Sequence, residues 1–363
     1  MTKQLFQTSV FIYIVAIGYL ATTTPITPHE ANLLYGSLDI VASFMRWGES
    51  LVDGFLGLRL FSLLFGFFSI VLFYHLSELY FEKSRDVYLS TALFMFLPGT
   101  MTAIAMANEA IVVLVIVLLF VIFHHHKRYI YLPFLMLILF FVHDTSFVFF
   151  VAVFLYGVMN KESKLALLAL TFLLAFIYLA NGINLRGIPS GHFVDIFGLY
   201  AMVFSPLLFL YFFYAMYRIL LREKKNIIWY ISFTALIFSL ILSIRQKIHI
   251  TDFAPYVMIA IVLILGVFNH TIGVRLPQFQ KNYKRGFVLV LSILVISFFS
   301  MVGHQLFVLF ANPKIEFAKN IYRPYLLAKE LKSKGVECYD TNNTHQRYQL
   351  RYYNIKSCRD NSL

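Results

Sequence analysis

Three acidic residues stand next to apolar segments of the chain, where a charged side chain is unusual. Glu30 follows the apolar segment Leu5–Ala21, Glu109 begins another, and Asp144 lies in the turn between two more. A carboxylate close to a bilayer is costly unless it has a task. Carboxylates held together in a partly dry site can act as general bases or bind a divalent metal ion. The sequence therefore predicts Glu30 as a catalytic base, Glu109 beside it as a second acid, and Asp144 as a third member. Glu30 and Glu109 are also the predicted ligands of a metal ion.

For two of these residues a simpler role competes with catalysis. Glu109 and Asp144 can each cap the start of the helix that follows, as acidic residues often do. Glu30 fits this alternative less well, because it follows the first apolar segment so closely. Further possible members of the site are His29, His143, His249 and Tyr256.

The composition places these residues in a membrane protein. Of the 363 residues, 60% are hydrophobic and 18% aromatic, and only 13% are charged. Soluble domains carry about twice that charged fraction. We assign the net charge of +12 to membrane topology and a basic C-terminal tail. The predicted surroundings are membrane lipids, and no nucleic-acid partner is expected.

Eleven apolar segments predict an all-α polytopic membrane protein with about eleven transmembrane helices. Several are shorter than the roughly 20 residues that a crossing needs. The pairs around Pro98–Asn108 and His143–Thr145 are also compatible with single broken helices or re-entrant elements. The segments are Leu5–Ala21, Leu58–Phe81, Val87–Ala105, Ala110–Phe123, Tyr129–Val142, Ser146–Met159, Leu165–Ala180, Leu199–Leu221, Ile227–Ile244, Phe253–Thr271 and Phe287–Phe310.

The distribution of Lys and Arg favours separate crossings. With the N-terminus in the cytoplasm, half of the 30 Lys and Arg residues fall on predicted inner segments. Short cytoplasmic loops are enriched in these residues. Merging either broken pair would invert every later loop and remove this asymmetry. The cations on short outer loops are Arg46, Arg59, Arg186, Arg245 and Lys247.

The chain is predicted to consist of a transmembrane domain, residues 1–310, and a small outer C-terminal domain, residues 311–363. The first outer loop, residues 22–57, mixes apolar and polar residues, as helices lying along a membrane interface do. The tail pattern reads helix, strand, helix, strand, which predicts a small α/β cap. Its Cys338 and Cys358 are the only cysteines. An oxidising compartment permits a disulfide between them, and the sequence leaves their pairing open.

The order of these features resembles the C-type (GT-C) glycosyltransferases, in the branch of protein mannosyltransferases and lipid A aminoarabinose transferases. That branch carries an Asp-Glu pair in its first outer loop and begins its second span with Arg-Leu. A Pro-Gly segment then leads to an acidic residue, and a late basic loop precedes a Pro-containing span. The similar segments here are His29-Glu30-Ala31, Arg59-Leu60, Pro98-Gly99 through Glu109, Arg245-Gln246-Lys247 and Phe253-Ala254-Pro255-Tyr256.

The resemblance implies transfer of a sugar from a polyprenyl-phosphate donor to a lipid, glycan or protein acceptor. It places the active site on the periplasmic face of the bacterial cytoplasmic membrane. A carboxylate would deprotonate the acceptor hydroxyl as that oxygen attacks the anomeric carbon with inversion. Arg245, Lys247, Arg186 or a divalent metal ion would stabilise the leaving phosphate. Anchoring to lipid phosphates is the simpler role for these cations.

Two departures from that branch stand beside the resemblance. His29 takes the place of the leading Asp, and the Lys-Pro-Pro element late in the first loop is missing. Two other classes also remain open: a transporter or flippase of lipid-linked sugars, and a glycan polymerase or ligase. Transporters often carry inverted repeats with sites near the midplane, whereas the acidic residues here gather at one predicted membrane face.

Overall fold

The computed structural model describes residues 1–37, 39–179, 192–304 and 316–358. Within these ranges the chain is helical, as the composition predicts, and it forms no β-strand. Short 3₁₀ turns lie at Tyr129–Tyr131 and Ile250–Asp252. The α-helices, numbered in chain order, are α1 (Lys3–Thr23), α2 (Pro28–Gly36), α3 (Ile40–Leu51), α4 (Phe55–Tyr80), α5 (Ser84–Phe96), α6 (Pro98–Ala105), α7 (Glu109–His125), α8 (Leu132–Val142), α9 (Ser146–Met159), α10 (Ser163–Leu179), α11 (Phe193–Phe204), α12 (Pro206–Arg222), α13 (Ile227–Ser243), α14 (Ala254–Met258), α15 (Ile261–Val274), α16 (Pro277–Val302), α17 (Glu316–Ser333) and α18 (Thr344–Tyr352).

The long apolar helices make this a helical membrane protein. In the described ranges, 4 helices are long and apolar enough to cross a membrane, and up to 6 if each of two bent pairs forms one span. The four are α1, α4, the continuous stretch Ala254–Val274 and α16. Five further predicted segments correspond to shorter apolar helices of 10–17 residues, and the remaining two correspond to the bent pairs. The count of eleven crossings therefore stays a prediction.

Both bent pairs break at a proline. Helices α5 and α6 meet at 61°, and Leu97 between them is extended, with φ −60° and ψ 129°. Proline lacks an N–H donor and disfavours the helical conformation in the residue before it. Helices α11 and α12 meet at 105° at Ser205, which has φ 79° and precedes Pro206.

The chain folds as two compact units that cut across the predicted domain boundary. The large unit contains Met1–Tyr13, Phe65–Thr102 and Glu109–Phe298, and the small unit contains Ile14–Leu64, Ala103–Asn108 and Phe299–Leu363. The C-terminal segment thus shares a unit with the first predicted outer loop. The predicted division at residue 310 differs from this grouping, because helix α18 packs against helix α2.

The small unit is held together by polar contacts between distant parts of the chain. The side-chain amide of Gln349 donates to the carbonyl oxygens of Ile26, at 2.9 Å, and Asn320, at 3.1 Å. The Arg351 guanidinium stacks on the Tyr35 ring, 4.7 Å from its centroid. As predicted, the loop after α1 is helical, since α2 and α3 occupy most of it.

The C-terminal segment differs from the predicted α/β cap. Its two helices are present, but the predicted strands are reduced, in the described residues, to one parallel bridge between Cys338 and Lys356. Two hydrogen bonds form there: Tyr339 N–H donates to the Lys356 carbonyl, and Lys356 N–H to the Glu337 carbonyl. The apolar core of Ala328, Leu350 and Ile355 is small. A sheet needs more pairing and a larger buried face than this segment supplies.

The large unit is packed around the buried faces of α7, α9 and α13. The rings of Phe120 and Phe149 meet edge to face, with centroids 4.9 Å apart. Helix α9 approaches α10 closely at Gly157, where a Cβ atom would lie 2.7 Å from the Ala166 backbone nitrogen. Small residues allow such close approach between helices. This packing positions the ends of α7, α8 and α9, where Glu109 and His143 lie.

Candidate functional site

Glu30 lies at the start of helix α2 and closes a capping box. Thr27 is the N-cap residue: its hydroxyl oxygen accepts from Glu30 N–H at 3.2 Å, and its own N–H donates to Glu30 Oε2 at 2.9 Å. Pro28 at the first helical position favours a helix start there. The prediction that Glu30 is poorly placed for capping is therefore wrong.

Arg59 in helix α4 is the main partner of Glu30. Its Nε donates to Glu30 Oε1 at 2.7 Å and its Nη2 to Oε2 at 2.8 Å, and both side chains have 0% exposure. The remaining guanidinium hydrogens are donated to the carbonyl oxygens of Ala21, Thr24 and Pro25. Five N–H groups thus meet five acceptors. The prediction of Arg59 as an outer-loop cation is corrected: it is a buried structural residue.

The Glu30 carboxylate has no acceptor capacity left for a substrate. Oε1 accepts from Arg59 and from Ala107 N–H, the latter at 2.9 Å, and Oε2 accepts from Arg59 and Thr27. An ionised carboxylate offers about four lone-pair sites, and all are used. Burial alone would raise the pKa of Glu30, but the Arg59 charge and these hydrogen bonds hold the pKa below its ordinary value. This geometry favours a structural role over that of a catalytic base.

Glu109 stands in a different environment. It begins helix α7 in the large unit, and its side chain is 28% exposed. Its Oε2 lies 3.6 Å from Nδ1 of His143, which is too long for a hydrogen bond and suits an ion pair with a protonated imidazole. In the described part of the chain, Glu109 accepts no hydrogen bond. Its lone pairs therefore remain available.

His143 lies between α8 and α9 and is 4% exposed. Its Nε2 is 3.1 Å from the Asp252 carbonyl oxygen. A carbonyl oxygen only accepts, so Nε2 carries the hydrogen and Nδ1 faces Glu109. Burial alone would lower the pKa of His143, but Glu109 and Asp252 raise it above its ordinary value. Burial also raises the pKa of the Asp252 carboxyl.

Three buried polar atoms without hydrogen-bond partners border this cluster. They are His143 Nδ1, Ser146 Oγ and Tyr256 Oη. Ser146 begins the helix after His143, and the Tyr256 ring lies 6.1 Å from the His143 ring between centroids. Buried polar groups normally have a partner. His143 Nδ1 already faces Glu109 in the ion pair, so Ser146 Oγ and Tyr256 Oη are the two atoms here that remain able to bond a polar ligand. We call Glu109, His143, Ser146, Asp252 and Tyr256 the Glu109 cluster.

The structure assembles only part of the predicted site. His143 and Tyr256 join Glu109, while Asp252 and Ser146 were not among the predicted site residues. Glu30 belongs to the small unit and Glu109 to the large one, so their convergence on one cavity stays a prediction. Asp144, Arg245, Lys247, His249 and His29 are exposed, and Arg186 lies outside the described residues. His249 is close enough for its charge to lower the pKa of Asp252, against the effect of burial.

The missed members carry weak signals in the sequence. Asp252 is one of the few carboxylates on predicted outer segments, and it directly precedes the Phe253-Ala254-Pro255-Tyr256 run. Ser146 looks like an ordinary helix-start residue. Arg59 has a clearer signal, since an arginine inside an apolar segment calls for a nearby counter-charge.

A metal ion has no complete ligand set among the described residues. No group of three His, Cys, Asp or Glu side chains there is spaced to hold one ion. Glu30, one of the two predicted ligands, has both oxygens engaged by donors. The described residues therefore do not fit the metal site predicted at Glu30 and Glu109.

Cys338 and Cys358 form a disulfide, with Cα atoms 5.0 Å apart. The pairing that the sequence left open is thereby confirmed. The bond closes a loop with a sequence separation of 20 residues and joins the segment after α17 to the segment after α18. The Asp340 carboxylate accepts from Cys358 N–H at 3.0 Å and from the Ser357 hydroxyl at 2.8 Å.

No protein-family model matches the chain, and no curated protein matches it in sequence. The likeness to the GT-C glycosyltransferases consists of the local motifs and their order along the chain.

Proposed function

We propose that this protein is a membrane glycosyltransferase of the GT-C type, acting at the periplasmic face of the bacterial cytoplasmic membrane. It moves a sugar from a polyprenyl-phosphate donor to a hydroxyl of a lipid, glycan or protein acceptor. The observation that carries the proposal is the partly exposed Glu109 carboxylate, which accepts no hydrogen bond in the described chain and faces a buried histidine. The eleven-span topology and the outward orientation of this cluster belong to the same proposal.

The Glu109 cluster can perform the proton transfer that this reaction requires. The acceptor hydroxyl gives its proton to Glu109 while its oxygen forms a bond to the anomeric carbon. The bond from that carbon to the phosphate oxygen breaks, and the polyprenyl phosphate leaves with the electron pair. A positioned general base contributes about 10²–10⁴-fold to such a step. Glu30 has no lone pair for this task, so the base moves from Glu30, the predicted residue, to Glu109.

His143 is the side chain that faces Glu109 and can exchange a proton with it. When His143 is protonated, its Nδ1–H points at Glu109 and forms an ion pair with the carboxylate. When His143 is neutral, Nδ1 is an acceptor and can take the proton that Glu109 has received. The Asp252 carbonyl at 3.1 Å fixes the imidazole orientation in both states. His143 is therefore a positioning and proton-relay residue.

Stabilisation of the leaving phosphate is assigned to the exposed cations of the segment after α13. Arg245 and Lys247 lie there, a few residues before Asp252. A phosphate diester that becomes a monoester gains negative charge, and a nearby Arg or Lys stabilises it. Arg186 keeps its predicted place as a third candidate.

The test is transfer of a radiolabelled sugar in vesicles. The substrate pool is lipid-linked sugar from a strain that lacks the gene, because the unused donor is expected to accumulate there. Glu109→Gln keeps the shape of the side chain and removes the base, so we expect transfer to fall about a hundredfold or more. The matched control is Glu78→Gln, which alters a carboxylate 3.4 Å from His75 in an exposed pair.

Two results would overturn the proposal. Normal transfer by Glu109→Gln would remove Glu109 as the base. Movement of the labelled donor across the vesicle membrane without a new glycosidic bond would assign the protein to the flippases instead.

A further inference from the structure

A cleft of about 380 Å³ lies in the large unit, between the ends of helices α12 and α15. Three arginines line it: Arg218 and Arg222 near the end of α12, and Arg275 just after α15. Tyr217, Leu221 and Val274 form its apolar wall. The Glu109 cluster shares no residue with this cleft.

The arginines differ in how their charges are compensated. Arg218 is built into the fold: its Nε lies 3.3 Å from Glu223 Oε1, and its Nη1 donates to the Thr271 hydroxyl. Arg275 stacks on the Tyr283 ring, 4.2 Å from its centroid. In the described ranges, no carboxylate lies within ion-pair distance of Arg222 or Arg275. The cleft therefore carries an excess of positive charge that an anion would balance.

The apolar wall indicates what kind of anion fits. Tyr217 is 56% exposed, Leu221 60% and Val274 74%. Tyr217 and Leu221 belong to the bent apolar pair α11–α12, and Val274 ends the apolar stretch Ala254–Val274. Both are candidate membrane spans, so these side chains face acyl chains more readily than water. A small hydrated anion gains nothing from such a wall, whereas a phospholipid places its phosphate on the arginines and its chains along the wall.

We propose that this cleft binds the phosphate group of an anionic phospholipid. The Lys and Arg distribution predicts that this end of α12 and α15 faces the cytoplasm, where anionic headgroups interact with clusters of basic residues. Arg222 and Arg275 hold the phosphate, and Arg218 fixes the relative position of the two helices. The site is independent of the proposed sugar transfer.

The experiment measures lipid binding to the full-length protein by native mass spectrometry in detergent. Phosphatidylglycerol is the anionic probe, phosphatidylcholine the zwitterionic one, and inorganic phosphate the soluble competitor. Each Lys or Arg at a membrane surface is worth about fivefold in affinity for anionic lipid. The double variant Arg222→Gln/Arg275→Gln should therefore bind phosphatidylglycerol roughly thirtyfold more weakly. The control is Lys281→Gln/Arg285→Gln, which removes the same charge from exposed positions of α16 outside the cleft.

The proposal holds if phosphatidylglycerol binds more tightly than phosphatidylcholine and only the cleft variant loses that preference. It is overturned if both double variants lose equal affinity, because the effect is then one of net charge. It is also overturned if inorganic phosphate alone displaces the lipid as effectively as more phosphatidylglycerol does. If the double variant does not fold, Arg222→Gln alone decides the question, with an expected loss of about fivefold.

Discussion

Glu30 and Glu109 both lie in the first turn of helices that follow apolar segments, yet their surroundings are opposite. Glu30 is buried and accepts four hydrogen bonds, from Arg59, Thr27 and Ala107. Glu109 is partly exposed and has one long contact, to His143. A carboxylate whose lone pairs are all used stabilises a fold, while one that keeps free lone pairs beside a titratable group can exchange protons. The number of donors around an acidic residue, and not its position along the chain, therefore separates the two roles.

The largest expected effect is a loss of protein stability when Glu30 is replaced. Glu30→Gln leaves the Arg59 guanidinium buried without its counter-charge, which costs about 3–5 kcal/mol. We expect a large fall in the denaturation midpoint of the detergent-purified protein. Asp53→Asn, at an exposed position of the same unit, is the control and should change stability little. A normal midpoint for Glu30→Gln would contradict the structural role.

The disulfide should give the next largest effect, again in the unit that contains Glu30. Reducing the bond between Cys338 and Cys358 frees a loop with a sequence separation of 20 residues, which corresponds to about 3 kcal/mol of chain entropy. Limited proteolysis with and without reductant should show faster cleavage between α17 and α18. Equal cleavage rates would show that the small core holds this segment without the bond.

Replacement of Glu109 should lower the sugar-transfer activity and leave the stability of the protein nearly unchanged. Glu109→Gln is expected to lower sugar transfer about a hundredfold but to change the free energy of unfolding by less than about 1 kcal/mol, because the side chain accepts no hydrogen bond in the described chain. Both quantities are measured on one preparation. A large loss of stability in Glu109→Gln would show that Glu109, like Glu30, has a structural role.

The smallest expected effect concerns how stability depends on pH, which differs in direction between His143 and Glu30. The raised pKa of His143 means that its contribution to stability is present below about pH 6.5 and is lost as the pH rises through the folded-state pKa. The lowered pKa of Glu30 means that its contribution is lost only as the pH falls through that pKa. His143→Gln should therefore flatten the alkaline side of a stability profile, by about 1 kcal/mol or less, and leave the acid side unchanged. If His143→Gln also changed the acid side of the stability profile, the assignment of that side to Glu30 would be contradicted.

The helices were predictable because their signals are local. The predicted segment Ser146–Met159 matches helix α9 at both ends, and the predicted start at Ile227 matches α13. Apolar runs bounded by polar or proline residues determine such elements. The predicted strands of the tail are present in the described residues only as a single bridge, since a strand is stabilised by partners that a short segment does not itself contain.

The candidate site was predictable only in part. Position beside apolar segments was enough to identify Glu30 and Glu109 as special, but their roles depended on partners far along the chain. Arg59 is 29 residues from Glu30, and Ala107 is 77 residues away. His143 was a predicted member of the site, yet its contacts with Glu109 and Asp252 arise from the packing of α7, α8 and the turn before α14.

Local sequence properties were enough to identify a helical membrane protein, the place of its main apolar helices, and the few ionisable residues close to them. These properties follow from hydrophobicity, chain length and proline, which act on neighbouring residues. Only the tertiary structure decided that Glu30 is saturated by Arg59, that Glu109 faces His143, and that the C-terminal segment joins the first loop. Hydrogen bonds and ion pairs act over a few ångströms in space, and residues that are distant in the chain meet at that range only after the helices have packed.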